Sequence, residues 1–554
     1  MKRIISSALL FLVITSFFAV KAQHARIGVI SDLHYTHPAL IVEKGKALDD
    51  YLQRDRKLLL ESDALLRKSV ENLLNEDVSV VLIPGDLTKD GELISHQGVV
   101  ELLQPLREKG VKVLVVPGNH DIDNPAAVSF HGDEIRNVQS ITPVQFKKIY
   151  NDYGYGNAIS YDKNSLSYVN EPVDGLRVIC IDACKYYENT FVSRGAKRDS
   201  CVTHGTIKPE TMNWIKTEVQ VAKLLGKQVI AMMHHGVVEH FDHQSFFAGP
   251  YLVDNFEWVQ KSFMEAGLNV VFTGHFHASD IAKIEDNNGN YLYDIETGSI
   301  VTYPCPYRVI NIADNQLDIK TMLIESIDYP IPAGMSFQAY AENMVDVGFN
   351  EMISSLINEY HSSLPEYMPK WLRHIVRIPD AEKFTDIVLS TLSPSAVKML
   401  VAHYGGNENR IENAHQNKQE LLLSIDNFVR ELCKESLGNL SGIAENIILR
   451  SNTIKKTRLA VSSIWDNAVL SNKVNGKENI SLDNSIDDLN YLLTLKSNDD
   501  INNGNFYANE EVDEEIKVKL FSTKPDNDDE QSIVTENKFA VLNRKRSVAA
   551  LIDE

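Results

Sequence analysis

Five short segments of this sequence carry the side chains that proteins use to bind metal ions: carboxylates, imidazoles and an amide. They read Asp-Leu-His, Gly-Asp-Leu-Thr-Lys-Asp-Gly, Gly-Asn-His-Asp, His-His and Gly-His-Phe-His, and each follows a short apolar run of strand length. One such segment alone is weak evidence, because polar loops are often turns with satisfied side chains. The candidate metal ligands, in chain order, are Asp32, His34, Asp86, Asn119, His234, His275 and His277.

These donors predict a centre with two metal ions. Seven ligands of mixed nitrogen and oxygen type are too many for one ordinary site and suit two metals that share a bridge. Asp86 is the natural bridge, because a carboxylate has two oxygens and the Pro84-Gly85 turn lets it face inward. Two cations held close together can bind a water as hydroxide and hold a phosphoryl oxygen for in-line attack. The predicted chemistry is therefore hydrolysis of a phosphate ester.

The elements that must position these loops are the strands and helices of an α/β domain. From about residue 26 to about residue 322, apolar runs of strand length alternate with segments of helical period. Open α/β sheets bind their ligands at the carboxyl ends of the strands, so the five loops are expected to converge on one cleft. After about residue 330 the strand-like runs disappear and helical periods follow, which predicts a mainly helical C-terminal region.

The ordered motif series resembles the calcineurin-like metallophosphoesterase superfamily over about residues 26–322. The resemblance implies a four-layer α/β/β/α sandwich and a site for two divalent or trivalent metal ions, which would be Fe, Mn or Zn. By this resemblance Asp32, His34, Asp86 and His277 hold one metal, and Asp86, Asn119, His234 and His275 hold the other.

The resemblance also implies roles for residues beside the ligands. His120 would orient the phosphate and protonate the leaving group, with Asp121 or a backbone carbonyl fixing its tautomer. In the His-His pair it favours His234 as the ligand and places His235 near the substrate. Asp90 is expected to support turn or ligand geometry rather than to bind metal.

The spacing of the first two motifs departs from the compact family form. About 50 residues separate Asp32 from Asp86, which leaves room for an inserted helix and leaves the shape of the cleft rim open. Several polar residues between the motifs could contact substrate, although ordinary polar-loop roles are the stronger expectation for them. These residues are His131, His204, His240, His243, Arg194, Arg198 and Arg308.

The chain is predicted to contain four regions. Residues 1–22 have the basic start, apolar core and small-residue cleavage site of an export signal, which predicts a periplasmic or secreted protein. Residues 23–328 would form the metallophosphoesterase domain, and residues 329–470 a helical domain or cap. Residues 471–554 are acidic and rich in Asn and Asp, so much of this tail is expected to be flexible. No membrane span is expected after signal removal, because no later segment is apolar enough.

Charge and cysteine content restrict the partners and the compartment. A formal charge of −21 argues against non-specific binding to nucleic acid or anionic membranes. No Cys-x-x-Cys pair is present, so a thiolate zinc site is not expected. In an oxidising compartment, Cys184 and Cys201 are expected to form a disulfide across the polar loop between them.

The leading interpretation is an exported two-metal phosphoesterase that acts on a phosphorylated substrate, either a phosphomonoester or a phosphodiester. A nucleotide or cyclic-nucleotide phosphodiesterase remains an alternative within this class. The rival from another class is a binding protein that keeps the fold without catalysis. Loss of a ligand or of His120 would favour that rival, and neither is lost here.

Overall fold

The computed structural model describes residues 24–53, 55–189, 201–241, 244–313, 316–363, 378–406, 411–437, 441–465 and 515–519. The predicted signal segment 1–22 lies outside these residues, as do Arg194, Arg198, His243 and all of the predicted tail except residues 515–519. Within the described part of the chain, no single helix is long and apolar enough to cross a membrane. One bent pair, Ala381–Thr391 with Ser393–Tyr404, meets that criterion only when the two helices are taken together.

The strands and helices alternate along the first part of the chain, and helices predominate after it. The strands are β1 (Ala25–Val29), β2 (Ile41–Glu43), β3 (Val80–Ile83), β4 (Lys112–Val115), β5 (Val128–His131), β6 (Glu134–Asn137), β7 (Ser160–Tyr161), β8 (Tyr168–Val173), β9 (Leu176–Ile181), β10 (Gln228–Met233), β11 (Val270–Thr273), β12 (Asp280–Glu285), β13 (Tyr291–Glu296), β14 (Pro306–Ala313), β15 (Gln316–Leu323) and β16 (Glu515–Lys519). The α-helices are α1 (Lys46–Gln53), α2 (Ser62–Asn75), α3 (Leu93–Glu108), α4 (Pro143–Ile149), α5 (Pro209–Leu224), α6 (Gln244–Phe247), α7 (Phe256–Ala266), α8 (Phe337–Tyr360), α9 (Ala381–Thr391), α10 (Ser393–Tyr404), α11 (Ile411–Leu437), α12 (Ser441–Leu449) and α13 (Asn452–Trp465).

Two large mixed sheets form the centre of the molecule. The six-stranded sheet has the order β16–β15–β14–β1–β3–β4, with β1, β3 and β4 parallel. The seven-stranded sheet has the order β12–β13–β11–β10–β9–β8–β7, with β13, β11, β10 and β9 parallel. A small three-stranded sheet, β2–β5–β6, lies apart from them. The strands that precede the five predicted ligand loops are β1, β3, β4, β10 and β11, so both large sheets contribute.

Alternation of side chains along the strands separates two hydrophobic layers. In β9, Val178 and Cys180 join the core shared with the six-stranded sheet, whereas Ile179 and Ile181 pack with α5 and α7. Helices α2 and α3 cover the outer face of the six-stranded sheet with side chains such as Leu73. Each buried Leu, Ile or Val side chain contributes about 1.5–3 kcal/mol to folding. The resulting order, helix, sheet, sheet, helix, is the predicted four-layer α/β/β/α sandwich.

The helical C-terminal region is also as predicted and packs on the sandwich. Phe337 and Ala341 of α8 are part of the main hydrophobic core. Val345 of α8 and Tyr404 at the end of α10 pack together against Ala278, which directly follows the fifth ligand motif. Helix α8 begins at Phe337, where the Ser336 side chain caps it by accepting from the backbone N–H of Ala339.

One short element lies inside the predicted flexible tail. Residues Glu515–Lys519 form β16, which pairs antiparallel with β15 at the edge of the six-stranded sheet. The segment alternates apolar and charged residues, Glu-Ile-Lys-Val-Lys, a pattern typical of strands. These five residues of the predicted tail are therefore part of the sheet.

Candidate metal centre

The predicted ligands lie at the carboxyl ends of parallel strands, where the two large sheets meet. Asp32 and His34 follow β1, Asp86 follows β3, Asn119 follows β4, His234 follows β10, and His275 and His277 follow β11. All of them are buried except His277, which is half-buried. The fold therefore brings all seven predicted ligands into one cleft.

The backbone at this cleft is strained. Five ligands have a positive φ: Asp32 at 50°, His34 at 36°, Asp86 at 46°, His275 at 77° and His277 at 65°. Such left-handed conformations cost roughly 1–3 kcal/mol for residues other than glycine, and they persist only where the surrounding structure determines them. The ligand loops therefore store strain that the packed sheets on either side of them must hold.

Asp86 lies between two donor sets. Its Oδ2 atom is 3.6 Å from His34 Nε2 and 3.3 Å from His234 Nε2. The carboxylate is held in place by the backbone N–H of His120, which donates to Oδ1 at 3.0 Å. Three groups of three residues have ligand atoms that all lie within 4.8 Å of one another. They are Asp32, His34 and His277; His34, Asp86 and His120; and Asp86, His234 and His275. Asp86 occurs in a group on each side, as a bridging ligand must.

The first donor set comprises Asp32, His34 and His277, with Asp86 beside it. His277 Nε2 lies 3.4 Å from Asp32 Oδ1 and 3.1 Å from His34 Nε2. The His277 Nδ1 atom contacts the Thr302 hydroxyl at 3.0 Å, which leaves Nε2 directed at the cluster. Two carboxylates and two imidazole nitrogens thus point at one small volume.

The second donor set comprises Asn119, His234 and His275, again with Asp86. His234 Nε2 lies 3.1 Å from the amide oxygen of Asn119. Its Nδ1–H donates to the Pro84 carbonyl at 2.9 Å, which leaves Nε2 free to act as a ligand. His275 Nε2–H donates to the Pro250 carbonyl at 3.3 Å, so its Nδ1 is the atom left for a metal. Backbone carbonyls therefore fix the tautomers of both imidazoles.

The electrostatics of the donors suit metal binding. Burial lowers the pKa of His34 and of His275 well below the ordinary value, which keeps both rings neutral, the form that binds metal. Burial also opposes charge on His234, but the Asp86 carboxylate prevails and raises the pKa of His234 to about 9 in the metal-free chain. A metal entering this site would therefore displace a proton. Neutral imidazoles, buried carboxylates and an amide oxygen form a donor set that fits two transition-metal ions.

His120 lies beside the two donor sets and is oriented by the motif that contains Asp86. Its Nδ1–H donates to the Lys89 carbonyl at 2.8 Å and lies 3.0 Å from Asp90 Oδ1. Because a carbonyl only accepts, Nδ1 carries a proton and Nε2 remains free. Burial opposes charge on His120, but the carboxylates of Asp86 and Asp90 raise the pKa of the ring. Of the two predicted ways to fix the tautomer, the backbone carbonyl is the one observed.

Asp121, one of the two groups predicted to fix the tautomer of His120, holds two loops together instead of contacting that ring. Its carboxylate accepts hydrogen bonds from the backbone N–H groups of Leu87, Thr88 and Gly118 at 2.8–3.1 Å. Within the described residues, its side chain makes no hydrogen bond to His120. Asp121 instead ties the second motif to the third, because its two oxygens are already used by the backbones of both loops.

Sequence comparison agrees with this geometry. A family model described as calcineurin-like phosphoesterase matches residues 25–279. These residues belong to the calcineurin-like phosphoesterase family. The matched segment therefore carries a domain of the metal-dependent phosphoesterase type.

Individual proteins resemble this chain either over short segments or at low sequence identity. A "Probable cyclic nucleotide phosphodiesterase" from Ruthia magnifica subsp. Calyptogena magnifica is 41% identical over 59 residues, which are 11% of this chain and 24% of that protein. A protein of the same description from Vesicomyosocius okutanii is 34% identical over 65 residues, 12% of this chain and 27% of the relative. The chain thus spans about a quarter of the length of these curated relatives. A dimetal phosphatase from Danio rerio is similar in structure, with 16% identity, 57% of this chain and 99% of that chain covered, and a TM-score of 0.38.

A cavity of about 320 Å³ opens over the metal centre of the phosphoesterase domain. His120 and the ligands His34, Asp86, Asn119, His275 and His277 line its floor. Sequence analysis did not identify the residues of its rim, which are Asp55, Arg56, Lys57, Thr203, Tyr251, Phe276, Thr302 and Tyr404. The basic run around residues 54–57, in the insertion between the first two motifs, was the available signal for part of this rim.

Other predicted substrate contacts lie away from this cavity. His235, predicted to lie near the substrate, is fully buried and does not line the cavity; its Nε2–H donates to the Thr203 carbonyl at 2.8 Å. His204 pairs with Asp254, and Arg308 bonds to Thr321. Among the described residues named as weaker candidates, His131, His204, His240 and Arg308 do not line the cavity.

The predicted disulfide is also absent from the phosphoesterase domain. Cys184 and Cys201 are both free thiols. The Cys184 thiol contacts the Pro117 carbonyl at 3.3 Å, and the Cys201 thiol contacts the Asn119 carbonyl at 3.2 Å. Both sulfurs thus pack against the third ligand loop instead of bonding to each other.

Proposed function

We propose that this protein is an exported phosphoesterase that uses two metal ions of the Fe, Mn or Zn type to hydrolyse small phosphomonoesters. The observation that carries the proposal is Asp86, which lies within 3.6 Å of one ligand on each side and beside a histidine with a fixed tautomer. Two bound cations would activate a water and neutralise phosphoryl charge. The chain supplies the positions of both ions and the group that handles the proton.

His120 is suited to protonate the leaving group. Hydrolysis forms a bond from phosphorus to the oxygen of water and breaks the bond to the alcohol, whose oxygen must gain a proton. Nδ1 of His120 is bound to Lys89, so Nε2 is the nitrogen that can deliver this proton across the cavity. Asp90 favours the protonated ring, and Lys89 and Asn124 hold the Asp90 carboxylate in place.

The two cationic side chains of the cavity rim support a preference for monoesters over diesters. Arg56 and Lys57 both line it, and a phosphomonoester carries about two negative charges near neutral pH where a diester carries one. A cyclic-nucleotide phosphodiesterase is the second candidate, supported by the names of the two curated relatives. Comparing glycerol 3-phosphate, bis(nitrophenyl) phosphate and cyclic AMP as substrates of the metal-reconstituted protein separates these candidates.

The role of His120 is tested by the dependence on the leaving group. His120→Ala should reduce kcat/KM on the order of a hundredfold or more for glycerol 3-phosphate, whose alkoxide is a poor leaving group, and far less for nitrophenyl phosphate. The variant His131→Ala, on β5 and outside the cavity lining, serves as the control, with metal content measured in each protein. Equal losses on both substrates would overturn the acid role and leave His120 as a phosphate-binding residue.

Export is the remaining part of the proposal, and the N-terminal pattern supports it. Residues 2–3 are basic, residues 4–20 are mainly apolar and residues 20–22 resemble a cleavage site. N-terminal sequencing of the protein recovered from cell fractions should find the chain starting near Gln23 outside the cytoplasm. An intact N-terminus in the cytoplasmic fraction would contradict export.

A further inference from the structure

A short basic segment forms one wall of the cavity. Asp55, Arg56 and Lys57 lie between α1 and α2, within the insertion that separates the first ligand motif from the second. Tyr404, at the end of α10 in the helical region, lines the same cavity. The rim is thus built from two parts of the chain that lie outside the five ligand motifs.

The segment is held from both sides, so its side chains have defined positions. The backbone N–H of Leu58 donates to the Val301 carbonyl at 2.7 Å. On the other side, the backbone of residues 55–56 packs against Gly348 of α8. A Cβ at Gly348 would lie 2.8 Å from both the Asp55 carbonyl oxygen and Arg56 Cγ, so only glycine permits this approach.

The two cations of the segment face different parts of the cavity. The Lys57 ammonium is near His34 and His120, where its charge opposes protonation of both rings and so acts to lower their pKa. It also lies 3.5 Å from Asp55 Oδ2, which offsets part of its charge. Arg56 is close to Tyr404, where its charge partly offsets the effect of burial on the tyrosine pKa. Lys57 thus lies toward the candidate ligands and Arg56 toward Tyr404.

Arg56 has no anionic partner within the described part of the chain. No hydrogen bond or ion pair joins its guanidinium to a described residue, although the side chain is half-buried. A guanidinium presents a planar set of donors that matches carboxylate and phosphate, and it loses solvation when partly buried without a partner. An anion beside Tyr404 would satisfy it.

We propose that Arg56, together with the Tyr404 hydroxyl, binds a second anionic group on the substrate. The preferred substrates are then small phosphomonoesters that carry a carboxylate or another phosphate a few bonds from the scissile one. The cavity volume of about 320 Å³ lies at the low end for ligand sites and suits a molecule of this size. This inference rests on the proposed phosphoesterase function and adds the substrate class.

The experiment compares matched substrates on the full-length protein. In the first pair, 3-phosphoglycerate has a carboxylate where glycerol 3-phosphate has a hydroxymethyl group, so the pair tests a carboxylate as the second anion. In the second pair, 1,3-propanediol phosphate is compared with its bisphosphate, which tests phosphate as the second anion. The wild type should prefer the doubly anionic member of at least one pair by about tenfold in kcat/KM, as expected for a charge-assisted hydrogen bond. The two pairs identify which anion is used.

The variants assign this preference to Arg56. Arg56→Met should reduce the ratio of the two kcat/KM values to near one, and Arg56→Lys should restore part of it, because lysine keeps the charge but loses the paired donors. Arg136→Met, which removes an exposed arginine from β6, should retain the wild-type ratio. In calorimetric titrations, 3-phosphoglycerate should bind most tightly to the wild type and Arg136→Met, less tightly to Arg56→Lys and least tightly to Arg56→Met.

Two failures can be told apart. A wild type that hydrolyses no phosphoester with any tested metal would overturn the proposed function, and calorimetry would then decide the anion site by itself. A wild type that hydrolyses both members of each pair equally, or an Arg56→Met variant that keeps the preference, would overturn the second-anion site while leaving the phosphoesterase intact.

Discussion

Three carboxylates near the metal centre differ in their partners, and this separates their roles. Asp86 faces imidazoles on both sides, so it is placed to bridge. Asp121 is saturated by backbone N–H groups and joins two loops. Burial disfavours ionisation of Asp90, but Lys89 beside it prevails and lowers the pKa of Asp90 to about 2. Asp90 is therefore the permanent anion available to His120.

A second buried group of titratable residues lies on β12, β13 and the loop after β10, outside the cavity lining. His240 Nδ1 is 2.8 Å from Asp280 Oδ2, and His240 Nε2 is 3.4 Å from Glu296 Oε2. Burial raises the pKa of Glu296 from 4.5 to about 8, although His240 partly offsets it. The folded protein therefore keeps a proton on Glu296 that the unfolded chain has released at neutral pH.

This residue predicts how stability changes with pH. Because the pKa of Glu296 is raised on folding, the free energy of unfolding should fall as pH rises from about 4.5 to about 8. Glu296→Gln cannot ionise, so between pH 5 and pH 8 the wild type should lose roughly 3 kcal/mol relative to the variant. Urea unfolding at several pH values measures this, with the exposed Glu285→Gln as control. Parallel curves for wild type and Glu296→Gln would refute the shift.

At the scale of elements, strand ends deliver the ligands and one glycine permits two loops to touch. Gly118, in the loop after β4, packs directly on Asp86: a Cβ there would overlap the Asp86 amide nitrogen and Oδ1. The overlap involves backbone, which cannot move aside as the end of a flexible side chain can. The second and third ligand motifs are therefore in contact only because residue 118 has no side chain.

Gly118→Ala should displace Asp86 and weaken both metal sites together. We expect the bound metal per chain to fall by about half or more and activity to fall with it, since Asp86 is the shared ligand. Elemental analysis of the purified variant measures the metal. Gly442→Ala is the matched control, because a Cβ at Gly442 meets open space. Full metal occupancy in Gly118→Ala would show that the loops can separate without loss of the site.

The convergence of the candidate ligands could be predicted from sequence, and the rim could not, for a physical reason. Asp32, Asp86 and His275 directly follow apolar runs, and a strand that enters a buried sheet delivers its next residues to a known edge. Nothing local marks Tyr404, and the basic run around residues 54–57 does not say where Arg56 will lie. Both positions depend on how α8 and α10 pack against the loop after β11. Sequence alone also could not tell whether Asp90 or Asp121 contacts His120. Asp121 is its neighbour in the chain, and Asp90 belongs to another motif that was expected to lie in the same cleft.

At the scale of the molecule, the helical region completes the site. The backbone N–H of Ser279 donates to the Tyr404 carbonyl at 3.1 Å, so α10 is hydrogen-bonded just after the fifth ligand motif. Phe276 and Tyr303 pack against the same cluster of Ala278, Val345 and Tyr404. The described residues fall within one compact unit. The helices thus support the cavity rim as well as covering apolar surface.

Two truncations test this dependence. A chain of residues 23–470 keeps every helix described here and should retain metal and activity, with a Tm lower by a few degrees because β15 loses its partner β16. A chain of residues 23–328 should be mainly insoluble, because it exposes Phe276, Ala278 and Tyr303. Soluble yield, Tm and metal content are the measurements. A soluble, metal-loaded 23–328 chain would show that the sandwich does not need the helices.

The pairing of β1 with β14 has a consequence for the order in which the molecule is made. Ala25 is opposite Ile312, so about 290 residues must be added before the strand next to Asp32 meets this neighbour. At ordinary synthesis rates of about 5–20 residues per second, that takes roughly 15–60 s. During this interval β1 has only β3 as a partner, and its other edge is open to wrong pairing. The first ligand motif to be synthesised thus follows a strand that is paired on both edges only late in synthesis.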